Sequence, residues 1–116
     1  MKTIIAGSRD FYIDENALTR YIKNVPWNIT EVVSGGCRGI DQSGESWALA
    51  NGIDYKVFLA EWVQLGKSAG PIRNQKMAEY ADALIAFPGQ GRGTRDMIER
   101  MHKLNKPVWV FEMPNG

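Results

Sequence analysis

Glycine and arginine, rather than histidine or cysteine, are the chemistry-bearing residues of this 116-residue chain. Four short segments concentrate them: Gly7-Ser8-Arg9-Asp10-Phe11, Ser34-Gly35-Gly36-Cys37-Arg38-Gly39-Ile40-Asp41, Gly70-Pro71-Ile72-Arg73-Asn74 and Pro88-Gly89-Gln90-Gly91-Arg92-Gly93-Thr94. Five of the seven arginines (Arg9, Arg38, Arg73, Arg92, Arg95) lie in or beside these segments, against one of the seven lysines, Lys67. Guanidinium offers a planar fork of donors that fits phosphate or carboxylate, whereas lysine is a point charge. Glycine lets backbone N–H groups approach an anion closely, most effectively where a helix begins. The expected ligand is therefore a phosphate-bearing small molecule of nucleotide type. Gly35, Gly36, Gly91, Gly93 and Thr94 would hold the phosphate, while Arg9, Arg38, Arg73 and Arg92 neutralise it. Asp10 or Asp41 is placed to meet a ribose hydroxyl. Gly7, Ser8, Ser34, Asn74, Pro88 and Gly89 complete the predicted lining. Neither glycine loop is a Walker loop or a full G-x-G-x-x-G.

The remaining residue types narrow the chemistry. Cys37 and His102 are the single cysteine and histidine. An intrachain disulfide, a His/Cys zinc site and a histidine-based nucleophile are all without support, and neither a metal nor a cofactor is expected. His102 reads as a solvated residue at the far end of its helix, and Cys37 as loop filler. Fourteen basic residues against thirteen acidic ones leave a net charge of +1, which does not fit a basic surface built for duplex DNA. The longest apolar runs fall well short of a membrane span, and the N-terminal run is too short for a signal peptide. Cytoplasm is the expected location. Phe11 is expected to wall the pocket and Trp62 to stack on a base or serve as a lid, while Trp27 reads as packing on the side away from the cleft.

These loops must be positioned by the elements between them. Thr3–Ala6, Thr30–Val33, Tyr55–Leu59, Ala83–Phe87 and Val108–Phe111 read as buried strands, β-branched and without strict alternation. Asp14 caps a first helix that carries Leu18, Tyr21, Ile22 and Val25 and stops at Pro26, with Ile13 and Leu18 as a hydrophobic staple. Further helices are predicted over Arg38–Asn51, stopped by Gly52, over Arg73–Ala81, and from Thr94 to Lys106, burying Met97, Ile98, Met101 and Leu104. The closing lysines suit the negative end of that last helix. Ala60–Ile72 reads as one long loop. The alternation predicts a single α/β domain of Rossmann type spanning 1–116. It would have a five-stranded parallel sheet in order 3-2-1-4-5, helices on both faces and a ligand cleft beyond the carboxyl ends of the strands. Trp47 and Trp109 read as core or subunit interface, and Trp47, Met97 and Met101 are the residues offered for pairing copies of the chain into a homo-oligomer.

The same segments carry a family resemblance. Gly7-Ser8-Arg9, the stretch from Val33 to Asp41, Gly70 to Asn74 followed by Ala81 to Phe87, and Arg92-Gly93-Thr94 together resemble the YspA-like branch of the SLOG superfamily. That superfamily joins the DNA-processing protein A/Smf proteins to the LOG phosphoribohydrolases. The segment from Ser34 to Asp41 is similar to the loop with which the DNA-processing proteins bind single-stranded DNA. Arg73, nine residues before Asp82, has the spacing of the LOG catalytic arginine. In LOG enzymes a glutamate follows the phosphate-loop threonine by three residues, and here that position is Met97. A second LOG glutamate is replaced by Ile72. The resemblance thus implies phosphate binding and leaves three functions open. Binding or sensing of a nucleotide-derived ligand fits best. An N-glycosidase splitting a nucleoside 5′-monophosphate is the alternative, with Arg73 positioning the substrate and Asp96, Glu99 or Asp10 as the carboxylate. Single-stranded DNA binding is the third, less favoured because loop lysines are scarce.

Overall fold

A computed structural model describes residues 1–112. In chain order it contains β1 (Lys2–Gly7), α1 (Glu15–Ile22), β2 (Glu31–Ser34), α2 (Ile40–Ala50), β3 (Asp54–Val57), α3 (Trp62–Leu65), a 3-10 turn (Gly66–Ser68), α4 (Ala69–Tyr80), β4 (Ala83–Phe87), α5 (Gly93–Lys103) and β5 (Val108–Val110). The five strands form one sheet in the order β3-β2-β1-β4-β5, and every pairing is parallel. The predicted order is therefore the observed one.

Side-chain alternation along the strands divides the core in two. Ile5, Val32, Ile85 and Phe87 point to one face and pack with Leu18 of α1 and Ile40, Trp47 and Ala48 of α2. Ile4, Val33, Leu84 and Ala86 point to the other and pack with Met77 and Ala78 of α4 and Met97 and Met101 of α5. A parallel sheet needs both faces covered, because its crossover helices lie on either side. β3 departs from the predicted buried strand: all four of its residues are exposed, and among the described residues only β2 pairs with it.

Local chemistry explains most element ends. Asp14 caps α1 by accepting from the Ala17 N–H at 2.9 Å, and both Ile13 and Leu18 are buried as the staple requires. The helix stops at Ile22, earlier than predicted, since Pro26 biases Val25 away from helical geometry. Val25 still reaches the core through a turn. α2 starts at Ile40 rather than Arg38, because Gly39 takes a left-handed φ of 81°. Asn51 and Gly52, with φ 66°, close its other end as expected.

The largest correction concerns Ala60–Ile72. This stretch holds α3, the 3-10 turn and the first turn of α4, which begins four residues before the predicted Arg73. Gly70 and Pro71 look like loop residues, but the first turn of a helix has no intrahelical use for its N–H groups, so proline fits there. Gly70 leaves room for Trp62, whose ring would lie 3.2 Å from a Cβ at that position. At the other end of the chain Leu104 falls just past α5 and is exposed rather than buried. Lys106 does not close its own helix: its ammonium donates to the carbonyls of Ala78, Glu79 and Ala81 at 2.7, 3.1 and 2.7 Å, at the end of α4.

Two of the tryptophans tie elements of the frame together. Trp27 donates to Thr3 Oγ1 at 3.1 Å, at the end of the sheet away from the cleft, and meets Trp109 edge to face. Trp47 donates to Thr19 Oγ1 at 2.9 Å, joining α1 to α2. Trp47, Met97 and Met101, predicted as contacts between copies, are all buried within one chain. Apolar side chains that close the core have no surface left for a partner.

Candidate functional site

The carboxyl ends of β1, β2 and β4 bring three of the four glycine loops together, and Ser8 is their pivot. Its N–H donates to the carbonyl of Phe87, and its carbonyl accepts from the N–H of Ile40, both at 3.0 Å. Gly39 is held against the Ser8 carbonyl, and Gly89 against the Ser8 side chain. Any Cβ on Gly39 would collide with that carbonyl, which explains a glycine there as much as its φ does. Ser8 itself is buried, and its hydroxyl accepts from the Asp10 N–H at 3.1 Å.

Two adjoining cavities open between these loops. The smaller, about 60 Å³, lies among Gly7, Gly35, Asp41, Arg73 and Thr94. The larger, about 370 Å³, lies among Ser8, Asp10, Arg38, Gly89 and Arg92. Gly7, Arg9, Gly93 and Thr94 line both, so the two chambers lie side by side at the strand ends. Arg73 reaches only the small chamber, and Arg38 and Arg92 only the large one. Gly91 lines the large chamber and Asn74 the small one. α5 begins here, and no side chain caps its first turn, so its leading N–H groups and the positive end of its dipole face the cleft.

The α4 side is tightly tied. Arg73 donates from Nη1 to the Gly35 carbonyl at 2.6 Å and from Nε to Asn74 Oδ1 at 3.0 Å. The Asn74 amide in turn donates to the Gly93 carbonyl at 3.2 Å and to Asp96 Oδ2 at 2.9 Å. Arg100 donates to the same Asp96 oxygen at 2.8 Å. Burial alone would raise the Asp96 carboxyl, but bonds from Arg100 and Asn74 and the nearby cations outweigh it and hold the group below the usual carboxylate range. Asp96 thus stays ionised and works as the anchor of this chain of bonds.

Asp41 is the buried carboxylate of the small chamber. Desolvation pushes its pKa up to about 6, opposed by backbone donors at Cys37 and Gly7 and by the charge of Arg73. Its Oδ2 accepts from the Cys37 N–H at 3.3 Å. A Cβ on Gly35 would stand 2.9 Å from both Asp41 Oδ2 and Arg73 Nη1, so this glycine is the gap through which acid and base face each other.

The exposed arginines differ. Arg38 meets Asp10 at 3.9 Å with both groups well solvated, a pairing of little energetic weight. Among the described residues Arg9, Arg92 and Arg95 make no salt bridge, leaving their forks unengaged by protein acids.

Several predicted site residues lie apart from the cavities. Ser34 turns inward, donating to Glu45 Oε2 at 2.6 Å and accepting from the Gly36 N–H at 3.0 Å. Pro88 is buried beneath the fourth loop. Gly36 faces Val57 and Leu59 rather than the cleft. Glu99 is exposed and lines neither chamber. Phe11 does not wall the pocket but packs against the α1/α2 core, and Trp62 sits over Gly70. Conversely, Ala6, Met77 and Met97 line the small chamber. Ala6 lies at a strand end and Met97 near a helix start, whereas Met77 lies well inside α4, where nothing in the sequence signalled it. Cys37, read as filler, also lines it.

Five parallel strands in this order, with glycine and arginine loops gathered at their carboxyl ends, define a Rossmann-like α/β protein with a strand-end cleft. The chain belongs to the YspA, cpYpsA-related SLOG family, whose profile matches residues 1–64. It is 32% identical over 120 residues to the Gene 61 protein of Mycobacterium phage D29, a match covering 95% of each chain. Its fold is similar to that of DNA processing protein A (DprA) from Streptococcus pneumoniae, with a TM-score of 0.74 at 19% identity. That match covers 94% of this chain and 49% of the other, so this chain spans about half the length of that structure. The family expected from the four motifs is the family found.

Proposed function

We propose that the strand-end cleft binds a nucleotide or nucleotide-derived small molecule. The observation carrying this reading is that Arg9, free of any protein acid among the described residues, lines both chambers beside the uncapped start of α5. The phosphate belongs in the large chamber, on the N–H groups around Gly91, Gly93 and Thr94, with Arg9, Arg38 and Arg92 supplying positive charge. A volume of about 370 Å³ suits a phosphate with its sugar. Asp41 in the small chamber, or Asp10 at the rim, accepts a sugar hydroxyl. Membership of the SLOG family, and a structural neighbour named for DNA processing, agree with a nucleotide-related ligand.

The catalytic alternative asks for a carboxylate free to assist glycosidic cleavage. Asp96 is engaged by Asn74 and Arg100, and Glu99 lines neither chamber, so this alternative rests on Asp10 at the rim of the large chamber. Thermal-shift and titration calorimetry with inorganic phosphate, ribose 5-phosphate and nucleoside 5′-monophosphates test the proposal. A ligand present at 100 times its Kd stabilises the fold by about 2.7 kcal/mol. No stabilisation by any of these in folded protein would overturn the reading. Release of free base, followed by chromatography, would replace it with the N-glycosidase, and a gel shift with single-stranded DNA but no small-molecule binding would replace it with nucleic-acid binding.

A further inference from the structure

The sheet ends abruptly at β3. All four of its residues are exposed, with Tyr55 at 43% and Val57 at 37%, and Leu59 just beyond it at 71%. β2 is its strand neighbour on one side, and among the described residues no strand pairs with the other side. An open strand edge carrying apolar side chains is a template for another strand.

The backbone fixes which registers that edge accepts. Phe58 donates its N–H to the Ser34 carbonyl of β2 at 2.8 Å. Backbone groups alternate in direction along a strand, so those of Asp54 and Lys56 also face β2, while those of Tyr55 and Val57 face outward. A second strand must therefore bond to Tyr55 and Val57.

We propose that this edge pairs with a second copy of itself, antiparallel about a two-fold axis at Tyr55. In that register Tyr55 exchanges both backbone bonds with Tyr55 of the partner subunit, and two five-stranded sheets become one. Asp54 then stands directly opposite Lys56 of the partner subunit, at a non-hydrogen-bonded position where side chains come closest. The reciprocal pair repeats across the axis, as an isologous contact requires. Both side chains lie on the same face of the sheet, the face on which Lys56 sits over the ring of Tyr80 at 4.5 Å. Moving the axis to Lys56 would set two lysines against each other, and moving it to Val57 would leave Lys56 opposite Phe58 and Asp54 without an opposite charge, so charge favours the register at Tyr55. Tyr55, Val57 and Leu59 add apolar area around the contact.

Sedimentation equilibrium and light scattering on the full chain read the result. The wild type is expected to be a dimer. Asp54→Lys opposes two lysines and Lys56→Asp opposes two aspartates, so each is expected to weaken the dimer by about tenfold or more. The double variant Asp54→Lys/Lys56→Asp restores opposite charges and is expected to restore dimerisation. Asp54 makes no side-chain bond in the monomer among the described residues, so Asp54→Lys is expected to fold normally, checked by circular dichroism, even if the loss of the Lys56 contact with Tyr80 harms the other variant. A monomer at every concentration reached, including one whose edge takes an extended peptide instead, overturns the proposal. So does a dimer that ignores Asp54→Lys. The strand-end cleft is untouched in these variants, so phosphate binding tests the functional reading separately.

Discussion

Arg73 holds the Gly35 carbonyl at 2.6 Å, joining the first turns of α4 to the loop after β2 across 38 residues of sequence. A guanidinium committed to a backbone carbonyl serves first to shape the small chamber. Its remaining charge is what an incoming anion, and Asp41 beside it, can feel. The Nε bond to Asn74 extends the tie to the start of α5, so Arg73 and Asn74 together fix the relative positions of three of the four segments.

Loss of that tie has a measurable cost. Arg73→Met keeps the apolar stem and removes the charge-assisted bonds, with an expected destabilisation of about 1.5–3 kcal/mol. Urea denaturation checks it. Gly35→Ala keeps the bonding groups but drives a methyl group to 2.9 Å from Arg73 Nη1 and Asp41 Oδ2, so both side chains must shift. It should narrow the small chamber and disturb the Arg73–Asp41 pair. Phosphate binding in the large chamber, which Gly35 does not line, should change less, as titration calorimetry and urea denaturation on the two variants would show.

Asp41 makes stability depend on pH with a definite sign. Its folded pKa of about 6 lies above the ordinary 3.8, so the fold prefers the neutral acid. The stabilisation is complete below the ordinary value and is lost as pH rises through the folded one. The shift corresponds to about 3 kcal/mol between roughly pH 4 and pH 7. Asp41→Asn cannot ionise. It must turn an amide donor toward backbone N–H groups, but that penalty is constant with pH. The stability difference between variant and wild type should therefore move in favour of the variant by about 3 kcal/mol across that range, read from unfolding curves at each pH. A flat difference would mean that Asp41 is not the titrating group. An anion entering the small chamber should likewise bind more weakly as pH rises over that range.

The glycines of the cleft are not equivalent. Gly39 has φ 81° and faces the Ser8 carbonyl, so Gly39→Ala combines backbone strain with a collision against main chain. A loss of at least about 3 kcal/mol, or failure to fold, is expected. At Gly91 the space a Cβ would occupy has no other atom within 4 Å, and φ is not left-handed. Gly91→Ala should change stability by less than about 0.5 kcal/mol. Thermal melts of the two proteins make the comparison.

Arg9 and Arg92 should separate binding from folding. Both are exposed and make no salt bridge among the described residues, so alanine at either is expected to shift stability by less than about 0.5 kcal/mol. Arg9 borders both chambers and Arg92 one. Arg9→Ala should accordingly lose more phosphate affinity than Arg92→Ala, and both losses should shrink at high salt as screening grows. Equal binding by wild type and Arg9→Ala would remove the main support for the proposed site.

The sequence by itself determined the strand order, the two-sided core and the end of the sheet at which the cleft opens. These follow from local apolar patterns, cap residues and the handedness of parallel crossovers, all of which act over a few residues or are general to the fold. It also supplied the four loops and their arginines, because glycine and guanidinium are visible as residue types. Tertiary structure decided which of those groups face the cleft and which serve the frame. Ser34 turns toward Glu45, Asp96 anchors Asn74, Trp47 and the α5 methionines fill the core, and β3 stands exposed at an edge. Each outcome depends on what a side chain meets across tens of residues of chain, and hydrogen bonding and burial at that range leave no periodic trace in the sequence.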